Sequence, residues 1–291
     1  MSEATRGPVQ VQGEVLSNKR AGAYQHLTLV APGVAERFRP GNLMAVAVGG
    51  DLSGRMLRRG LPIYRARATG AYRSTVEAVF AVTEPGLAWL AGLPGGAPVD
   101  VVGPVGRPYA LPKEPVACTL AGHAHAAAPL FSLAERLRER GCAVHMVLAA
   151  ATEKELFGAL EAKRAAKTVV VATEDGSLGM RGGIGEVLPG LLGRTASDVV
   201  YAAGPARTLH EAAAAAEEHG AWSQTALDAG LVCATGACKS CVVPVVGEDG
   251  VSRMVRVCAE GPVFRGDRVR WADLGTVPTD SWGASRAGED R

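Results

Sequence analysis

Cys233-Ala-Thr-Gly-Ala-Cys238-Lys-Ser-Cys241, followed seventeen residues later by Cys258, sets four of the chain's six cysteines in the order C-x4-C-x2-C and then a lone C. A [2Fe-2S] cluster demands four thiolates converging so that each iron is tetrahedral once the bridging sulfides are counted. The x4 interval fits the plant-type iron-sulfur spacing better than a zinc knuckle. Zinc, which four cysteines also serve, and two disulfides are the alternatives. Disulfides run against the length of the chain, which needs no staples, and Cys118 and Cys142 read as buried strand residues. Gly236 and Ala237 carry almost no side chain, so the loop can wrap tightly and aim N–H groups at sulfur. Cys258 is brought back by a hairpin: apolar Val242 to Val246, a turn at Gly247-Glu-Asp-Gly250, then apolar residues from Val251 to Val257.

Upstream of this stretch the chain changes rhythm once. Residues 9–16, 25–30, 43–48, 74–82 and 99–102 are short β-rich runs separated by Gly, Pro and Asn, the pattern of an antiparallel barrel. From about residue 113 strands alternate with helices: strands at 116–121, 143–148, 168–172 and 199–203, helices at 129–140, 153–162, 185–192 and 208–219. Alternation of this kind predicts a Rossmann-like parallel sheet covered on both faces. The expected division is a β-barrel over 1–112, an α/β domain over 113–220, a cluster domain over 221–275 and a polar, disordered tail over 276–291. A formal charge of +2, with basic residues scattered, gives no reason to expect nucleic acid. The first eight residues have no apolar h-region, and no run approaches the roughly eighteen to twenty apolar residues of a bilayer span. The expectation is a soluble, cytoplasmic protein.

A barrel, a nucleotide-type domain and a cluster segment, in that order, resemble the ferredoxin-NADP reductase superfamily and, within it, the electron-transfer subunits of class 1B dihydroorotate dehydrogenase. The resemblance runs to about Trp271. It is carried chiefly by Cys233-x4-Cys238-x2-Cys241-Val-Val-Pro and Val257-Cys258-Ala-Glu-Gly-Pro-Val-Phe264. Leu57-Arg58-Arg59, Val102-Gly-Pro-Val-Gly106, Thr173-Glu-Asp-Gly-Ser177 and Gly204-Pro205 are similar to further family landmarks. The resemblance implies FAD in the first domain, NAD in the second, and a cluster passing single electrons to a separate dihydroorotate dehydrogenase catalytic subunit. The implied assembly is a heterotetramer of two plus two. This chain is then not expected to turn over dihydroorotate alone.

The resemblance places Arg58 or Arg59 near the flavin diphosphate, with a second contact around Gly86. The alternative is that both arginines are solvated charges on a loop. Where the family has a hydroxyl facing the flavin ring, Gly60, Leu61 and Pro62 stand here, and Gly86-Leu87 replaces a Gly-Thr pair. The nucleotide turn departs further. Of the template GGG-x-G-x-x-P, only Gly122 and Pro129 survive in Ala121-Gly-His-Ala-His-Ala-Ala-Ala-Pro129, and each added Cβ crowds the space a diphosphate needs. Ala203 stands where the superfamily has a cysteine near the nicotinamide. Hydride delivery by NADH is therefore not expected at this turn. His123 and His125 read as packing or solvent-facing residues, since no third metal ligand can be nominated. Besides the relay subunit, the sequence leaves open a reductase serving another redox enzyme and a non-enzymatic conduit that has lost nicotinamide binding.

Overall fold

The computed structural model describes residues 7–284, apart from 51–52 and 70–73. Its first third is a sheet of seven antiparallel strands: β1 (Val9–Ala21), β2 (Tyr24–Val30), β3 (Leu43–Val46), β4 (Arg59–Pro62), β5 (Arg65–Arg67), β6 (Thr75–Phe80) and β7 (Pro98–Val105). The short helices α1 (Val34–Arg37) and α2 (Pro85–Ala91) interrupt it. The spatial order is β4-β3-β7-β1-β2-β6-β5, yet β4 and β5 are separated in the chain by Ile63 and Tyr64 alone. One bent segment therefore pairs with β3 through its first half and with β6 through its second, which closes the sheet on itself and leaves no free edge at that seam. Ile63 N–H to Asn42 O (3.0 Å) and Tyr64 N–H to Glu77 O (2.8 Å) carry the hydrogen bonding across the joint. The interior follows the period of the strands, as in β7, where Val99, Val101, Gly103 and Val105 face inward.

Arg59 opens β4, with Arg58 just before it, in a stretch where no strand is expected from the sequence. Glycine and proline are disfavoured inside strands. Gly60 is required because another backbone lies against it: a Cβ there would stand 2.7 Å from Leu231 Cβ and 2.8 Å from Ala234 Cβ.

The second sheet runs β11-β10-β9-β8-β12-β13-β16. Its strands are β8 (Ala117–His123), β9 (Ala143–Ala150), β10 (Thr168–Thr173), β11 (Met180–Arg181), β12 (Val199–Ala203) and β13 (Trp222–Ala226), all parallel, with β16 (Val263–Arg265) antiparallel at the edge. Helices α3 (Ala128–Glu139) and α4 (Ala159–Ala165) bury Leu130, Leu133, Leu137 and Ala162 on one face. Helices α5 (Ile184–Thr195) and α6 (Ala206–Glu218) bury Leu188, Leu191, Leu209 and Ala212 on the other. The helix expected over 153–162 is replaced by a single 3-10 turn at Glu153–Glu155 and by α4, which starts only after Gly158. Packing overrides propensity there. Phe157 joins an aromatic cluster with Phe131 and Tyr64, and Gly158 at φ 75° leaves room for the Phe131 ring, which a Cβ would approach to 2.3 Å.

Tyr64, at the barrel seam, also ties the barrel to the α/β unit. Its hydroxyl donates to Glu161 Oε2 at 2.5 Å, and Arg65 beside it pairs with Glu161 and with Glu135. Tyr64→Phe removes a hydrogen bond to a charged acceptor and is expected to cost about 2 kcal/mol. Thermal melts should show a lowered midpoint, with the iron content of the purified protein unchanged.

The cysteine segment adds the hairpin β14 (Val242–Val246) and β15 (Ser252–Arg256), the turn closing through Gly247 N–H to Val251 O at 2.9 Å, and a short helix, α7 (Val257–Glu260). Within the segment 276–291, Trp282 N–H bonds Ser252 O (2.8 Å), and Asp280 pairs with Arg270 at 2.5 Å. Residues 285–291 of that segment lie outside the described residues. Among the described residues no helix is long and apolar enough to cross a membrane.

Candidate functional site

The loop from Cys233 to Cys241 is held in a tight wrap by three residues in left-handed backbone, Ala234 (φ 53°), Gly236 (φ 81°) and Lys239 (φ 56°). This turns N–H groups inward: Thr235 and Cys238 donate to Cys233 Sγ at 3.5 and 3.4 Å. Burial opposes ionisation of Cys233, but these donors outweigh it and leave the thiol at about 6. Val257 N–H bonds Cys241 O at 2.8 Å, which sets Cys258, the first turn of α7, beside Cys241. Burial, then its contact with the Cys241 thiol, pushes Cys258 up to about 12. The structure sets Cys238 beside Cys233 and Cys258 beside Cys241. Among the described residues no three His, Cys, Asp or Glu side chains close on a single point, as one metal ion would require. A donor set of four cysteines at this spacing could serve an iron-sulfur cluster or tetrahedral zinc. Cys233, Cys241 and Cys258 are buried, and Cys238 is the thiol nearest solvent. Cys118, in β8, and Cys142, just before β9, are both buried.

The cluster loop abuts an apolar slot of about 280 Å³. All three segments wall it: Gly60, Leu61 and Pro62 from β4, Pro129 and Ala203 from the α/β unit, and Leu231 and Pro262 from the cysteine segment. Leu231 is two residues from Cys233, and its carbonyl accepts the Gly60 N–H at 2.8 Å. Gly106 serves the same closure from the barrel side, because a Cβ there would come within 2.6 Å of Pro262 Cδ. A flat ring system fits walls of this kind, and no hydroxyl stands among the three β4 residues that line them.

Arg58 and Arg59 are not solvated charges. Arg58 pairs with Asp100 at 2.6 Å, and Arg59 forks onto Glu84, Nε and Nη2 each at 3.0 Å from one oxygen. Glu84 in turn caps α2, accepting from the Gly86 N–H at 2.9 Å and the Leu87 N–H at 2.7 Å. Two of the three residues expected at a flavin diphosphate, Arg59 and Gly86, therefore meet on the Glu84 carboxylate near the rim of the slot, where Leu87 lies, while Arg58 is held by Asp100. The sequence reading missed Glu84 and Asp100. An acidic residue just before Pro85 signals a helix cap, whereas its pairing with an arginine 25 positions away has no local signature.

The nucleotide turn is filled by its own side chains. A 3-10 turn at Ala124–Ala127 follows β8, and the ideal Cβ position of Gly122 lies only 2.5 Å from Ala127 Cβ. His125 packs on Tyr24, ring centroids 4.8 Å apart, and burial lowers the pKa of both His123 and His125. His123 also borders a second cavity with Glu174, Glu186 and Glu211, at the carboxyl ends of the parallel strands.

A family model described as the iron-sulfur cluster binding domain of dihydroorotate dehydrogenase B matches residues 229–270. The electron transfer subunit of dihydroorotate dehydrogenase B (NAD(+)) from Geobacillus thermodenitrificans is 32% identical over 249 residues, covering 84% of this chain and 91% of that protein. Its counterpart from Desulforamulus reducens is 28% identical over 241 residues, covering 83% and 90%. A solved structure of an NADH-dependent reduced ferredoxin-NADP oxidoreductase, described in work on flavin-based electron bifurcation, gives a TM-score of 0.76 at 26% identity over 91% of each chain. A ferredoxin NADP+ reductase from Neisseria gonorrhoeae with bound FAD and NADP shares the fold at a TM-score of 0.58 and 13% identity, over 77% of this chain and 96% of that one. Two thiol pairs, a slot shared by three segments and a 32% identity that extends over nearly the whole Geobacillus protein lead to one assignment: the chain belongs to the family of electron transfer subunits of dihydroorotate dehydrogenase B.

Proposed function

We propose that the chain is an iron-sulfur flavoprotein subunit that relays electrons between a dihydroorotate dehydrogenase catalytic subunit and an acceptor, in pyrimidine biosynthesis in the cytoplasm. The observation that carries this reading is the slot whose wall residue Leu231 also belongs to the loop holding Cys233. Electron exchange needs short edge-to-edge distance, and here one residue separates cavity from cluster loop.

The division of labour follows the segments 1–112, 113–220 and 221–275. Cys233 and Cys238 would hold one iron of a [2Fe-2S] cluster, Cys241 and Cys258 the other. The small loop residues direct amides at sulfur, and the buried thiols keep water from three of the four ligands. Arg59 and the Gly86 N–H would hold the diphosphate of FAD, Arg58 being held by Asp100, while Leu61, Pro62 and Leu231 would position its ring. The flavin supplies the exchange between two-electron and one-electron chemistry that a cluster alone cannot perform. Cys238, nearest solvent, marks the face toward the catalytic subunit, in an assembly of two plus two.

The crowding of Gly122 by Ala127 favours a second reading for the α/β unit, a conduit that has given up nicotinamide chemistry. Both readings are tested on the purified chain under anaerobic conditions. About two irons and two sulfides per chain, with FAD as the released flavin, are expected. Dithionite should bleach flavin and cluster, and NADH should bleach the flavin slowly or not at all. Stoichiometric zinc would remove the cluster, absence of flavin would leave only the conduit, and rapid full reduction by NADH would restore the nicotinamide site.

A further inference from the structure

The Arg59–Glu84 pair has more to it than an ordinary surface contact. Both side chains are part-buried, with 22% and 30% of their area exposed. Beyond the two donors spent on Glu84, Arg59 Nη1 serves the carbonyls of Leu57 (3.0 Å) and Arg58 (3.2 Å), so four of its five N–H groups are engaged. Each Glu84 oxygen in turn accepts from Arg59 and from one amide of α2. Hydrogen bonding from Arg59, ahead of the opposing effect of burial, lowers the Glu84 pKa, so the group carries its charge at neutral pH. A guanidinium fork of fixed geometry grips one anion at a time. Arg58 offers no replacement, because Asp100 holds it and Asp100 itself is fixed by Gln10 at 2.7 Å.

We propose that Glu84 is a built-in competitor of the flavin diphosphate: its carboxylate occupies the Arg59 fork, FAD enters by displacing it, and the flavin occupancy of this subunit is set by that exchange. The proposal rests on the reading of Arg59 as a diphosphate contact. Two anions sharing the rim repel, so the penalty falls on the part of the ligand that bears charge. It should spare a flavin that lacks phosphate.

Equilibrium binding to the flavin-stripped full-length chain, followed by flavin fluorescence, tests this with FAD and with riboflavin as the phosphate-free probe. Glu84→Gln keeps an acceptor for the α2 amides and removes the charge. FAD is expected to bind about tenfold tighter to this variant, the size of one like-charge contact, with riboflavin unchanged. Circular dichroism reports whether the variants fold; should Glu84→Ala fail to fold, Glu84→Gln still decides. FAD affinity equal to or weaker than wild type in Glu84→Gln would reduce Glu84 to a helix cap and overturn the proposal while leaving the flavin reading intact. Arg59→Gln is the control on that reading: FAD binding should weaken with riboflavin unaffected. If it does not, or if neither wild type nor Glu84→Gln binds FAD, the diphosphate reading falls and the competitor with it.

Discussion

Replacing Cys238 with serine should strip the purified chain of most of its iron and sulfide while leaving flavin retention close to wild type. A serine hydroxyl at this position is a hard, poorly ionised donor in place of a thiolate, and the Cys233 pair loses half its grip on one iron. Cys238 is also the thiol closest to water, so a weakened cluster there is open to hydrolysis. The slot should survive. Its contact with the cluster loop is a backbone hydrogen bond from Gly60 to Leu231, upstream of the first cysteine and independent of iron. Iron and acid-labile sulfide assays beside the flavin absorbance give the answer, and simultaneous loss of flavin would mean that the slot depends on the cluster for its shape.

Gly60→Val should have the opposite signature, losing flavin and iron together. Its Cβ would lie 2.7 Å from Leu231 Cβ, 2.8 Å from Ala234 Cβ and 3.1 Å from Leu231 O, so either β4 leaves the barrel seam or the cluster loop leaves β4. Overpacking of this kind costs about 1–3 kcal/mol before any cofactor is counted. A fall in thermal midpoint of about 5 °C or more is expected. Gly60→Ala should give a smaller loss of the same kind. Iron retained at wild-type level in Gly60→Val would show that the loop can shift without consequence.

Local spacing made the cysteine site legible. Four thiols from one loop and one hairpin announce themselves, because the hairpin turn at Gly247 to Gly250 and the small residues around Gly236 are short-range signals. The alternation of strands and helices from Ala117 onward was readable for the same reason. What escaped the sequence depends on long-range approach. No strand is expected at 59–62 from the sequence, where glycine and proline are disfavoured until Leu231 is known to lie against Gly60. The helix expected at 153–162 was lost to Phe157, whose place in an aromatic cluster with Tyr64 outweighs the helix propensity of its neighbours. The arginines were identified as candidates, but their partners Glu84 and Asp100 could be found only once β4, α2 and β7 were folded together.

The segment from Arg59 to Arg67 seams the barrel, lines the slot, abuts Leu231 and, through Tyr64 and Arg65, bonds to Glu161. Nine consecutive residues therefore stand at the crossing of every unit in the molecule. The inner support of the cluster loop depends on the same residues that close the barrel. A disturbance at this crossing is therefore expected to spread to all three segments at once rather than stay local.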